Sequence, residues 1–254
     1  MRHRMSVIVL IGLRLMAGRN AWAQLESSTR QEPSAESIVA RMQAWNAERQ
    51  GALESYTGER TYRVEYHGTG GEHHGEINVH VSYGDHGEKH LTVVSETGSK
   101  VICERVLRKM VETEQEASAR AERGQTMLSA ENYNFALEGQ ETVDGMKAWV
   151  LRVTPKVDNK LMYRGRVWVS EDDFAVMRVL GEPAKSPSFW INHASFDWRY
   201  GRHGQFWLPE RSEAVSHVRI GGEAKLTIEY EDYHVVSQRQ MQRDGVEVAQ
   251  HVAR

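Results

Sequence analysis

Six histidines crowd one short stretch: His67, His73, His74, His80, His86 and His90. Imidazoles at that density raise the question of a metal site, which needs three or four ligands converging on one point. The stretch lacks His-Glu-x-x-His spacing and has no cysteine beside it. His80 falls on the polar side of an alternating segment and His86 in a turn, so surface histidines are expected and no metal. Glu171, Asp172 and Asp173 could do acid–base chemistry, but they fall between two strand-like runs, where turns favour acids anyway. Cys103 is the only cysteine. It can form no disulfide within the chain, and without a catalytic neighbour in sequence it reads as a buried apolar thiol. No Gly-x-Ser-x-Gly elbow, phosphate-binding loop or dinucleotide fingerprint is present. The expectation is a protein with no catalytic residue and no cofactor, and not an enzyme.

What the chain has instead is a repeated apolar face. Trp190, Asn192, Ala194, Phe196, Trp198 and Tyr200 alternate with Ile191, His193, Ser195, Asp197 and Arg199. Period-2 alternation of this kind marks a half-buried strand. Gly201–Gly204 reads as a turn, 211–220 as a second strand ending at Gly221-Gly222, and Ala224, Leu226, Ile228 and Tyr230 as the apolar side of a third. The same alternation occurs earlier, in Tyr62, Val64 and Tyr66, then in Ile77, Val79, Val81 and Tyr83, and a further strand is expected over 89–95. Residues 98–103 read as one more strand. Strands are also expected over 132–142 and 147–155, joined by the hairpin signal Asp144-Gly145, and over 161–169 and 174–181.

Two segments change period. Ile38, Met42 and Trp45 fall at helical spacing after the capping residue Ser34, so 35–50 reads as an amphipathic helix stopped by Gly51. Val106 with Met110, and Leu107 with Val111, place a second helix over 104–120. The count is ten or eleven strands and two helices. So many strands joined by short turns form a curved antiparallel sheet, an unclosed β-barrel of mainly β (α+β) class, with the amphipathic helices as a lid over its apolar side.

The ends differ from the body. Residues 1–23 combine a basic start, an apolar run over 6–13 and Ala21-Trp22-Ala23, the build of a signal peptide cleaved after Ala23. Removing it takes away four arginines and no acid, moving the formal charge from −3 to −7. An acidic body without a basic block excludes nucleic acid as the natural partner. It also excludes adhesion to anionic lipid by charge alone. Residues 24–34 read as a flexible leader, 35–236 as a single domain and 237–254 as a polar tail. An exported, soluble, monomeric protein is expected.

Five strings together resemble a known family. They are Glu-Arg-Thr-Tyr-Arg-Val-Glu-Tyr at 59–66, Arg-Gly-Arg-Val-Trp-Val at 164–169 and Gly-Glu-Pro-Ala-Lys-Ser-Pro-Ser-Phe-Trp-Ile at 181–191, followed by Phe-Trp-Leu-Pro at 206–209 and Leu-Thr-Ile-Glu-Tyr-Glu-Asp-Tyr at 226–233. In their order the chain resembles the outer-membrane lipoprotein-sorting (LolA-like) proteins over nearly all of its mature length. The resemblance implies a half-barrel with helices over an apolar cavity. It also implies a periplasmic carrier that takes lipoproteins from an inner-membrane transporter to an outer-membrane receptor. This chain is longer than that carrier, and the carrier's lid-latching arginine is matched to no position here.

The expected ligand-binding face is Tyr62, Val64, Tyr66, Ile77, Val79, Val81, Trp190, Phe196, Trp198, Leu226, Ile228 and Tyr230. Either it lines a cavity for the acyl chains of lipids or lipoproteins, or it is a filled core. In the second case the protein is an exported structural or regulatory module that binds a protein partner. Transfer of a ~16-carbon chain out of water contributes on the order of 10 kcal/mol. Helices that leave the hollow for cargo and refill it afterwards offset that gain and allow release.

Overall fold

The computed structural model describes residues 32–84, 88–119, 127–159, 161–186, 191–219 and 221–237. The expected signal peptide, most of the expected leader and nearly all of the expected polar tail lie outside them, as do His86 and Trp190. Helix α1 (Ala35–Ala52) starts where the sequence places it: the Ser37 amide donates to Ser34 Oγ at 3.2 Å. Gly51 does not stop it. The helix runs to Ala52 and passes directly into β1 (Leu53–Gly68), whose first amide donates to the Arg49 carbonyl.

β2 (Gly71–Gly84) and β3 (Glu88–Gly98) follow as hairpins. The expected strand over 98–103 is replaced by helix. Helix α2 (Lys100–Ile102) runs into a π-helical segment (Cys103–Leu107) and then α3 (Arg108–Ala119), one rod with a widened turn where the Arg108 amide donates to the Cys103 carbonyl. The apolar, partly β-branched run Val101-Ile102-Cys103 imitates a strand. Packing of Ile102 and Cys103 against the sheet overrides that local preference.

Seven further strands follow among the described residues: β4 (Tyr133–Val143), β5 (Met146–Pro155), β6 (Tyr163–Ser170), β7 (Val176–Pro183), β8 (Ile191–His203), β9 (Phe206–Val218) and β10 (Gly222–Ser237). The Asp144-Gly145 turn takes positive φ at both residues, 50° and 80°, as a two-residue hairpin demands. The expected Gly201–Gly204 turn is shorter, because β8 continues through His203.

All ten strands form one antiparallel sheet in the order β3-β2-β1-β10-β9-β8-β7-β6-β5-β4, not closed into a barrel. Its only non-sequential pairing joins β1 to β10, with Tyr62 opposite Ile228 and Val64 opposite Leu226. This order has a direct consequence. β3 and β4 are neighbours in the chain but lie at opposite edges of the sheet, nine strand spacings of about 4.8 Å apart along it. The connection that contains α2 and α3 starts from one edge and must reach the other, so an amphipathic helix there is laid across the inner face. Gly165 in β6 (φ 156°) faces Gly181 in β7; a Cβ on Gly165 would stand 2.1 Å from the Leu180 carbonyl oxygen. Glycine at this contact lets the two backbones approach more closely than side chains would allow.

The inner face carries two separate cores. Under α1, the buried Ile38, Val39 and Met42 meet Tyr133, Trp149, Leu151, Val153, Val167, Val179 and Phe196. Under α2 and α3, Ile102, Cys103, Leu107 and Val111 meet Tyr56, Tyr62, Val64, Ile77, Val79, Val81, Leu91 and Ile228. A small third cluster, Ala148, Val150, Trp168 and Met177, lies on the opposite face of β5–β7. Among the described residues no helix is long and apolar enough to cross a membrane.

Candidate functional site

Eight of the nine tyrosines belong to or pack against the two cores of the inner face, and Tyr66 shares the strand parity of Tyr62. That face is therefore aromatic and hydroxyl-bearing as well as apolar. Between the two cores runs a strip of half-buried side chains from β8, β9 and β10: Trp198, Tyr200, Ser212, Ala214, Leu226 and Tyr230. Phe196 stacks on Trp198 with ring centroids 4.1 Å apart, and Tyr163 meets both edge-on at 5.5 and 5.7 Å. The Tyr230 and Ser212 hydroxyls lie 3.2 Å apart. Burial pushes the phenols of Tyr163 and Tyr230 up, and that of Tyr200 up to about 12. The Tyr163, Tyr200 and Tyr230 rings keep some solvent contact yet are deeply desolvated.

The structure divides the sequence-predicted face. Tyr62, Val64, Ile77, Val79, Val81 and Ile228 lie directly beneath α2 and α3, with Leu226 and Tyr230 packed at their margin. Phe196 and Trp198 belong to the core under α1. Tyr66 joins neither cluster: its hydroxyl donates to the Gly221 carbonyl at 3.0 Å and its ring stacks on His73. Trp190 is outside the described residues. The predicted residues thus do not surround one common space. They form two filled cores separated by the half-buried strip.

At the margin of that strip sits a charged group that the sequence reading missed. Arg60, whose side chain is 4% exposed, stands on the apolar side of β1, two residues before Tyr62. Its Nη1 donates to Glu114 Oε1 of α3 at 2.8 Å, and the Tyr62 hydroxyl donates to Glu114 Oε2 at 3.0 Å. Lys89 Nζ of β3 reaches Oε1 at 3.0 Å. Arg60 also donates to the Tyr62 hydroxyl at 3.2 Å, and its guanidinium lies 4.9 Å from the centre of the Tyr230 ring. Burial disfavours charge on Arg60, but the Glu114 carboxylate reverses that and raises its affinity for the proton. Burial likewise pushes Glu114 up; Arg60 and Lys89 outweigh it and bring the carboxyl down to about 2. The Tyr62 phenol is pushed up by burial, with the Glu114 charge adding to it. At neutral pH the pair is fully ionised and holds α3 to the sheet.

The other candidate groups are dispersed. His80 pairs with Glu59 at 2.7 Å and His67 lies 3.3 Å from Glu72, both exposed; His73 contacts the Gly70 carbonyl. No group of three metal-ligating side chains converges among the described residues. Cys103 is buried, and its Sγ donates to the Thr97 carbonyl at 3.3 Å. Asp173 accepts from Trp207 Nε1 at 2.8 Å and pairs with Arg49, which ties it to α1.

An unclosed antiparallel sheet with helices on its inner face defines the architecture. No family model matches the sequence, and no curated protein matches it. Among solved structures, the chain is similar in fold to a DUF1329 family protein from Desulfovibrio piger, at 14% identity over 79% of this chain and 91% of that one, with a TM-score of 0.41. It is similar to a LolA superfamily protein from Nitrosomonas europaea, at 12% identity over 80% and 94%, with a TM-score of 0.37. It is also similar to an outer membrane lipoprotein-sorting protein domain from Vibrio parahaemolyticus, at 11% identity over 81% and 96%, with a TM-score of 0.38.

Proposed function

We propose that the protein is an exported, non-enzymatic carrier that holds the acyl chain of a lipid or lipoprotein against the inner face of its sheet. It would act in the periplasm, after cleavage of residues 1–23, in sorting cargo from an inner-membrane transporter towards an outer-membrane receptor. One observation carries this reading. The half-buried strip Trp198, Tyr200, Ala214, Leu226 and Tyr230 lies between two helix-covered cores on a sheet that does not close. A sealed core would bury these rings fully.

Tyr62, Val64, Ile77, Val79, Val81 and Ile228 extend the strip once α2 and α3 lift away, which would give an acyl chain a continuous apolar bed. Return of Ile102, Leu107 and Val111 to that bed would offset the gain from burying the chain and permit release. The test is uptake of a fluorescent long-chain acyl probe by the purified protein. Binding near one probe per chain, competed by unlabelled lipid, is expected. A probe that stays in buffer at micromolar protein would remove the carrier reading.

A second reading, a module that binds a protein partner, is favoured by an open groove of about 620 Å³ between β3 and α3. Leu91, Val93 and Val111 line it, with Arg108 and Glu112 at its side. Native purification that yields a stoichiometric protein partner and no lipid would favour this reading over the first.

A further inference from the structure

The carboxylate of Glu114 is held as a bound anion is held. Three donors from two strands converge on its two oxygens, Arg60 and Lys89 on Oε1 and Tyr62 on Oε2, all between 2.8 and 3.0 Å. Two of the three, Arg60 and Tyr62, belong to the sheet core and are nearly fully buried. The acid belongs to the lid and is one-third exposed. The cation site is therefore built into the floor, and the anion is supplied by the movable part.

The floor also holds Arg60 in place without the lid. Tyr230 lies opposite it across the β1–β10 ladder with its ring against the guanidinium, and the Tyr62 hydroxyl accepts one of its hydrogen bonds. A lid needing only apolar adhesion would carry a leucine at this point of its buried stripe, since Leu107, Val111 and Glu114 share one helix face. A buried guanidinium left without a counter-charge costs several kcal/mol. A lid that withdraws Glu114 thus exposes a site that demands another anion.

We propose that Arg60, Tyr62 and Lys89 form a binding site for the oxyanion headgroup of an acyl ligand, and that Glu114 occupies this site when the ligand is absent. The inference rests on the carrier reading and narrows its cargo to acyl chains ending in a carboxylate or a phosphate. The geometry suits it. Tyr230 belongs both to the half-buried strip and to the wall around Arg60, so a chain lying along Trp198, Tyr200 and Leu226 would end at the guanidinium. Lid opening and ligand binding then become a single exchange: one carboxylate leaves as another oxyanion enters, and Arg60 is never left unpaired. Uncharged acyl ligands would open the lid only at the cost of stranding that charge.

The test compares ligands of one chain length on the purified protein by calorimetry: laurate, dodecyl phosphate and methyl laurate. Laurate or dodecyl phosphate, or both, should bind at least tenfold tighter than the ester, and the stronger of the two identifies the headgroup. Glu114→Gln, which removes the competing charge while keeping the side-chain shape, should tighten the acid at least tenfold, tighten the ester as well because its entry no longer breaks the Arg60 pair, and leave the acid favoured. Arg60→Met should abolish the preference for charged ligands. Equal binding of acid and ester by the unaltered protein would overturn the site while leaving the carrier reading intact, and it requires no variant to fold. Failure of all three ligands to bind would overturn both.

Discussion

Arg49, in the last turn of α1, donates to the backbone carbonyl of Asp173 in the β6–β7 turn at 2.9 Å, and its guanidinium also lies 3.8 Å from the Asp173 carboxylate. Asp173 in turn accepts from Trp207 of β9. The C-terminal end of α1 is thereby fastened to two neighbouring parts of the sheet by backbone as well as side-chain contacts, while Ile38, Val39 and Met42 are fully buried further up. α3 is fastened to β1 and β3 through Glu114, through Gln115, whose Oε1 accepts from the Leu91 amide at 3.1 Å, and through Arg108, which pairs with Glu96 at 2.9 Å. Under the carrier proposal the two helices are unequal: α1 stays as a cap, and α2 with α3 moves.

The first prediction follows from that inequality. Arg49→Ala should destabilise the whole protein by about 1–3 kcal/mol, the range for hydrogen bonds to charged groups in part-buried positions. Hydrogen exchange should then show residues 35–52 losing protection only together with the sheet. Early, separate loss of protection in α1 would show that it is not the fixed cap.

The strand framework was legible because one face of nearly every strand is greasy and the turns carry glycine or acids; Asp144-Gly145 sets the β4–β5 register next to the turn, with Val143 opposite Met146, until it shifts between Leu137 and Gly139. The two-core division was not legible. It depends on β1 pairing with β10, more than 150 positions away in the chain, and on which half of the sheet each helix covers. Arg60 and Glu114 left weak local traces. Arg60 shares the parity of Tyr62 and Val64, a charge on an apolar face. Glu114 falls seven residues after Leu107 and three after Val111, an acid in an apolar stripe. Each breach of pattern alone reads as a surface residue. Only the packing of α3 on β1 shows that they neutralise one another.

Acid should open the lid. Glu114 has its carboxyl depressed from an ordinary 4.5 to about 2 in the folded chain, so its contribution is complete above pH 4.5 and is lost as pH falls from there towards 2. Discounted for its partial exposure, that contribution is on the order of 2 kcal/mol. The groups facing it are Arg60, Lys89 and Tyr62, and none of them loses a proton in that window. The protection of residues 100–119, as hydrogen exchange relative to the intrinsic amide rate, should therefore fall between pH 4.5 and 2.5. In Glu114→Gln that protection should already be low at pH 7 and vary little with pH. An unchanged pH profile in that variant would show that other carboxyls control the lid.

Replacing both charges should separate stability from selectivity. Glu114→Leu alone strands a buried guanidinium and should cost about 3–5 kcal/mol. Arg60→Met combined with Glu114→Leu puts apolar groups of similar length in contact, and such exchanges are often neutral or stabilising. The double variant should unfold in denaturant within about 1 kcal/mol of the parent, far from the sum of the single effects. It should also hold its lid shut in acid. Additive losses would mean that Arg60 and Glu114 act on stability independently, against the direct contact between them.

A wedge under the lid offers a test of motion that touches no charge. Gly75 of β2 lies against the start of the helix: a Cβ there would stand 2.7 Å from Ile102 Cγ2, 3.0 Å from Ile102 Cβ and 3.3 Å from Cys103 Sγ. Neither Ile102 atom is a flexible tip, so the added methyl must push α2 away from the sheet. Gly75→Ala should cost about 1–3 kcal/mol in the docking of the helix, the usual range for overpacking. The β-sheet itself should stay intact, because the displaced partner is the lid. If the lid opens to admit cargo, the variant starts part-way along that path, and acyl-probe uptake should be several-fold faster than in the parent even as thermal stability falls. A lower melting temperature with unchanged uptake kinetics would mean that ligand enters without displacing α2, and the movable roof would have no part in loading.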